Sequence, residues 1–207
     1  MVTTRHGGPA DALGRRRIPA SERRALIERE AARLFAQKGF VATTVEDIAA
    51  AAGVSKPMLY RHFESKKDLQ VKLLERRRDE LAAAPLDEFL AHEGEPAARL
   101  PAMLDAWLEH VEQHPDSSRM LFQDVNGDPE LGELQRELRS RQRAADVALL
   151  REFAPGLPEE ELEPLGEIVR SSLAGLALWW LEHPEVPRRI IAAALLRMTR
   201  GLLAGAG

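Results

Sequence analysis

Residues 43–69 read TTVEDIAAAAGVSKPMLYRHFESKKDL, and the spacing of caps, glycine and apolar residues here decides the fold. Thr44 stands as the N-cap of a short helix with Val45, Ile48, Ala49 and Ala52 on one face. Glu46 and Asp47 occupy its first turn, where the helix dipole favours negative charge. Gly53 closes it. Ser55 caps a second helix running from Lys56 to Phe63, and Ser65 opens a long one from Lys66 through about Leu81. Two short helices joined by a glycine turn make a helix-turn-helix, whose second helix can enter a DNA major groove.

Facing angles support that reading. At about 100° per residue, Leu59 and Phe63 point inward together, which turns Pro57, Met58 and Arg61 outward and leaves Tyr60 and His62 on the flanks. An arginine opposite the core can pair bidentately with guanine, and Met58 offers apolar contact to a thymine methyl. Thr44, Tyr60, His62 and Lys66 are placed for phosphates, which position a protein without reading sequence. Lys66 and Lys67 also sit in the first turn of the long helix, where amide donors attract an anion. Each residue alone has a plainer reading as a cap, a surface histidine or a packing tyrosine; their combination points to DNA.

The run resembles the DNA-binding segment of the TetR family of bacterial transcriptional regulators. The resemblance rests on Asp47 to Ala49, Ala52 to Ser55, Leu59 to Phe63 and Ser65 to Lys66, with Phe35 and Gly39 to Phe40 in the preceding helix, and covers about residues 21–70. It implies phosphate or base contacts from Thr44, Ser55, Lys56, Pro57, Tyr60, His62 and Lys66, with Arg61 in a variable position. Met58 departs from the small or hydroxylated residue often found there, so no base preference transfers to it. Pro57 suits a first helical turn but disfavours helical geometry at Lys56 before it.

Upstream, a helix is predicted from Pro19 and Ser21, its N-cap, through the stripe Ile27, Ala31, Leu34 and Phe35 to Gly39. Residues 1–18 hold three of the 14 glycines and the triplet Arg15, Arg16 and Arg17, and read as a flexible basic arm. No apolar stretch follows these charges as in a secretory signal, so a cytoplasmic protein is expected. Downstream, breaks at Pro85, Gly94 to Pro96, Pro115, Gly127 to Pro129, Pro155 to Pro158 and Pro184 to Pro187 separate segments of helical period. They predict helices near 97–113, 117–125, 129–153, 159–182 and 187–204, with a short one at 86–92. No strand pattern or internal repeat is present. The fold class is all-α, with a helix-turn-helix domain at 19–65 and a helical ligand-binding and dimerisation domain at 66–207.

The 207 residues carry a net charge of −4, which at first speaks against a polyanionic partner. The charge is unevenly distributed. Residues 1–80 hold 17 Lys and Arg against 11 Asp and Glu, and the remainder 12 against 22, so a +6 head is joined to a −10 body. Every lysine lies in the first 72 residues. The chain has no cysteine, which excludes disulfide scaffolds, thiol nucleophiles and cysteine zinc sites. No apolar run reaches the roughly 18 residues of a membrane helix.

The last two helices display wide apolar faces. Leu165, Val169, Leu173, Leu176 and Trp180 line one, with Ile168, Ser172 and Trp179 extending it; Ile191, Ala194, Leu195, Met198 and Leu202 line the other. Gly175 and Ala192 to Ala194 permit close approach. One core does not need both faces, so a homodimer through these residues is expected, as the resemblance also implies. Paired recognition helices would then read a palindromic operator on double-stranded DNA. In the middle helices Phe89, Met103, Trp107, His110, Met120, Phe122 and Gln123 interleave apolar and polar groups. The resemblance implies a pocket there for a small apolar effector whose binding releases a repressor; an activator or a ligand-independent regulator of the same fold is the alternative. No cofactor and no enzymatic activity are expected. His110 and His114 at i, i+4 and the run Asp124, Asn126, Asp128 are the nearest approaches to metal sites, but neither completes a known ligand pattern. An all-α metal-binding enzyme is thus the less favoured rival; an interaction protein keeping the motif as scaffold is a further one, and the outward Arg61 with Tyr60, His62 and Lys66 argues against it.

Overall fold

The computed structural model describes residues 19–123 and 129–204, and the described residues form nine helices and no strand. The basic arm at 1–18 and the run Asp124 to Asp128 lie outside the described residues. Helix α1 (Ala20–Ala42) starts from Pro19 and not from a Ser21 cap, because the Pro19 carbonyl already accepts the Arg23 N–H at 3.0 Å. Ser21 therefore falls inside the first turn. Gly39, at φ 78°, interrupts the helical geometry near the end of α1 with a backbone conformation that glycine alone adopts cheaply. Thr43 then ties the chain down, its Oγ1 donating to the Gly39 carbonyl at 2.8 Å.

Helices α2 (Val45–Ala51) and α3 (Lys56–Tyr60) follow, the latter shorter than predicted, with Arg61 as its C-cap and a turn through His62. Five and seven residues cannot form a stable unit alone. Their inward residues Ile48, Ala49, Leu59 and Phe63 join Ile27, Ala31, Leu34 and Phe35 of α1 in one core. That core also recruits Leu69, Leu73 and Leu74 from α4 (Lys66–Ala91) and Met120 from α6 (Pro115–Phe122). Each such side chain contributes roughly 1.5–3 kcal/mol when fully buried.

The predicted break at Pro85 does not occur: α4 continues through it to Ala91 and absorbs the short helix placed at 86–92. A proline inside a helix costs about 3 kcal/mol, and packing offsets it. Beyond Pro85, Phe89 is buried and its ring lies 5.5 Å from that of Phe153, while α4 runs along α5 (Pro96–Gln113). Helices α7 (Pro129–Phe153), α8 (Glu159–Glu182) and α9 (Arg188–Ala204) complete the body.

The body core takes up the residues that the sequence suggested for a two-fold face. Trp180, Ile191 and Leu195 are buried inside the protomer beside Leu100, Leu104, Leu108 and Val111, with Leu176 and Met198 packed against them. Leu165, Val169 and Leu173 line an internal cavity. These eight residues form the inner face of α8 and α9, because α5 and α7 cover that side of the pair. On α8 and α9 the large apolar residues left exposed are Ile168, Trp179 and Ile190, which mark the outer face of the pair.

Candidate nucleic-acid interface and interior cavity

The two short helices are locked by their caps. Thr44 Oγ1 accepts the Asp47 N–H at 3.1 Å while the Asp47 carboxylate accepts the Thr44 N–H at 3.1 Å, a reciprocal capping box. These bonds from Thr44 hold the Asp47 carboxyl below its ordinary range. Gly53, at φ 63°, makes the turn, and the Val54 N–H donates to the Ala49 carbonyl at 2.9 Å. Ser55 Oγ accepts the Met58 N–H, so its hydroxyl is a cap before it is anything else.

With Leu59 and Phe63 buried, Lys56, Pro57, Tyr60 and Arg61 stand exposed on one side of α3. The Arg61 backbone N–H donates to the Pro57 carbonyl at 3.2 Å, while its guanidinium makes no hydrogen bond or ion pair among the described residues, which leaves its fork of donors available. Lys56 pairs with Glu46 across the turn, which raises the lysine and lowers the carboxylate relative to their ordinary values. The Lys56 ammonium also lies 6.0 Å from the centre of the Tyr60 ring. Met58 is half-buried, its sulfur accepting from Arg23 Nη1 at 3.4 Å. His62 is half-buried too; burial, then the charges of Arg23, Arg24 and Arg61, push its imidazole below the usual histidine value.

Lys66 stands apart from the other sequence-predicted contacts. Its ammonium donates to the Phe40 and Thr43 carbonyls, both at 2.8 Å, and lies 4.1 Å from the centre of the Phe40 ring. Two of its three donors thus close the gap between α1 and α4. Arg23 and Arg24, which sequence reasoning did not single out, border the same surface: Arg24 sits 5.2 Å over the Phe63 ring and bonds Glu28. Their signal was available, since α1 places them one turn before the inward Ile27.

The body holds a cavity of about 420 Å³, within the range that takes a small organic molecule. Phe89, Met103, Trp107 and Phe122 line it, Trp107 and Phe122 with ring centres 6.0 Å apart. Met120, His110 and Gln123 do not. Met120 faces the opposite way from α6, into the core of the head. Gln123 is exposed at the end of α6. The His110 ring lies 4.6 Å from that of His114, tilted by 51°, and burial, then that neighbour, lowers its pKa. Among the described residues no group of three or more metal-ligating side chains converges. Leu81, Pro85, Leu149, Leu150 and the three residues of α8 first assigned to the dimer complete much of the apolar wall. Arg78, Gln142, Asp146 and Arg170, which sequence reasoning missed, supply polar groups on it.

Two family models match the chain: bacterial regulatory proteins of the tetR family over residues 27–72, and the tetracyclin repressor-like C-terminal domain over residues 95–203. The chain is 34% identical over 122 residues to the HTH-type transcriptional activator FasR of Mycolicibacterium smegmatis, covering 58% of this chain and 55% of the relative. It is 38% identical over 104 residues to the HTH-type transcriptional repressor KstR2 of Mycobacterium tuberculosis, covering 50% of each. The chain thus spans about half the length of the curated relatives it matches. The crystal structure of a TetR-like transcriptional regulator from Rhodococcus sp. RHA1 shares the fold at a TM-score of 0.73 and 24% identity, over 90% of this chain and 98% of that one. With a capped helix-turn-helix presenting Lys56, Tyr60 and Arg61 and a C-terminal domain matched along its length, the chain belongs to the TetR family of DNA-binding transcriptional regulators.

Proposed function

We propose that the protein binds a palindromic operator on double-stranded DNA as a homodimer, in the cytoplasm, and that a small apolar effector in the body cavity releases it. The observation that carries this reading is the outward set Lys56, Tyr60 and Arg61 on a helix whose other side is fully buried. Arg61 reads a base edge; Thr44, Ser55, Lys56, Tyr60 and His62 position the helix on phosphates, and Pro57 and Met58 offer apolar contact. The two-fold contact falls on the outer face of α8 and α9. Ile168, Ser172, Gly175 and Trp179 recur there at i, i+4, i+7 and i+11, and Ile190, Ala193 and Ala194 stand exposed on α9.

Two elements join cavity to head. Helix α6 puts Phe122 on the cavity wall and Met120 in the head core, and α4 puts Leu81 and Pro85 on the wall and Leu69 and Leu73 in that core. A ligand that shifts either changes the spacing of the recognition helices, which is the population shift release requires. The relatives include a named repressor and a named activator; repression is the reading adopted here, with activation through the same contacts as the alternative.

Selection of bound duplexes from a random library tests the DNA half of this reading. Enrichment of an inverted repeat, protected as one unit by a dimer, is the expected result. Enrichment of an unpaired half-site, or of nothing, would overturn it.

A further inference from the structure

The cavity wall is apolar along most of its surface, and α7 brings Gln142 and Asp146 onto it, on one face a turn apart. Gln142 Nε2 donates to Asp146 Oδ1 at 3.0 Å. Asp146 Oδ2 is buried and has no hydrogen-bond partner among the described residues. The backbone of α8 packs directly over the acid at Gly166, where a Cβ would come within 3.7 Å of the Asp146 Cβ. Burial holds the carboxyl above its ordinary range. A carboxyl buried with an idle oxygen costs free energy that a leucine at this site would not, and a ligand that supplies the missing partner recovers it.

The charges nearby constrain that partner. Arg78 and Arg170 stand on the same wall, Arg170 bonded to Glu167. An ammonium at Oδ2 would stand beside two guanidinium groups; a carboxylate there would stand beside the Asp146 carboxyl, with Arg170 already bonded to Glu167. A hydroxyl carries no charge and both donates and accepts, so it satisfies Oδ2 whether or not the acid is ionised. Thr199, also on the wall, cannot substitute, because its hydroxyl already donates to the Leu195 carbonyl at 2.9 Å. We propose that the effector is an uncharged amphipathic alcohol whose apolar body fills the cavity and whose hydroxyl hydrogen-bonds Asp146. This rests on the cavity being the effector site.

The test is displacement of N-phenyl-1-naphthylamine, an uncharged fluorescent probe, from the purified full chain by ligands of matched length: 1-decanol, a methyl ether, decanoate and decylamine. The alcohol is expected to displace the probe at roughly tenfold lower concentration than the ether, the net worth of about one hydrogen bond, and to outcompete both ions. Asp146→Leu should bring alcohol and ether within about twofold while the probe still binds. Equal potency of alcohol and ether in the unaltered protein, tighter binding of either ion, or a preference that survives Asp146→Leu would overturn the hydroxyl assignment while leaving the cavity as effector site. Failure of the probe and all four ligands to enter would overturn the cavity itself and the assignment with it. The comparison in the unaltered protein decides the matter even if Asp146→Leu misfolds.

Discussion

Lys66 and Arg61 carry the same charge close together in sequence, and the fold uses them differently. Lys66 donates to the carbonyls of Phe40 and Thr43, whereas Arg61 is exposed with its guanidinium donors unengaged. Arg61→Ala is therefore expected to leave unfolding within about 0.5 kcal/mol of the parent and to relax discrimination at one base pair by about 1–3 kcal/mol. Competition binding with single-base operator variants measures the second effect and thermal unfolding the first. Lys66→Ala is expected to destabilise the head by roughly 1–3 kcal/mol, because two carbonyls lose their donor; its loss of DNA binding would then report folding as much as contact. His62 adds a pH dependence. Its folded pKa lies below the unfolded value, so its share of stability is present above about pH 6.5 and declines as pH falls through the depressed folded value. A phosphate beside the ring favours the imidazolium and reverses that preference. Binding to the operator is expected to take up a proton and to strengthen below about pH 6.5, measured by calorimetry in buffers of different ionisation enthalpy; His62→Gln should abolish the uptake.

At the scale of elements, α1 and α4 are joined through one buried acid. Glu28 is 1% exposed and accepts from Arg24 on its own helix and Arg76 on α4, which also bonds Glu80. Arg76→Ala is expected to cost about 1–2 kcal/mol, below the figure for a fully buried pair because Arg76 is half in water. Denaturant unfolding measures that cost, and the same variant should weaken operator binding by loosening α1 from α4. The head is legible in the sequence because its signals are local: Thr44, Gly53, Ser55 and Ser65 mark their own turns, and each acts within four residues. Pro85 misled for the converse reason, since what holds α4 together beyond it is Phe89 against Phe153, a contact 64 positions apart in the chain. The cavity was half legible. Phe89, Met103, Trp107 and Phe122 carry the same apolar pattern as any core residue, and nothing within α6 distinguishes the side that faces the cavity from the side that puts Met120 in the head.

Across the whole molecule, the +6 head and −10 body confine phosphate attraction to one end, so a dimer must present its two heads side by side for both to engage. The pairing surface decides whether it can. Sequence periodicity favoured the stripe of Trp180, Ile191 and Leu195 because it is the more apolar one, but greater apolarity is what one's own core demands, and those residues are buried there. The outer stripe is thinner, with Ile168, Trp179 and Ile190 between small residues, and Trp179 stacks on His183 at 4.2 Å. A central aromatic of this kind commonly contributes 2 kcal/mol or more to an interface. Trp179→Arg is accordingly expected to raise the dimer dissociation constant by at least about thirtyfold while leaving the protomer folded. Ile191→Ala should instead cost about 2–5 kcal/mol of protomer stability through a cavity in the core. Sedimentation equilibrium beside thermal unfolding separates the two outcomes, and a Trp179→Arg protein that stays dimeric would move the two-fold contact away from the outer face of α8 and α9.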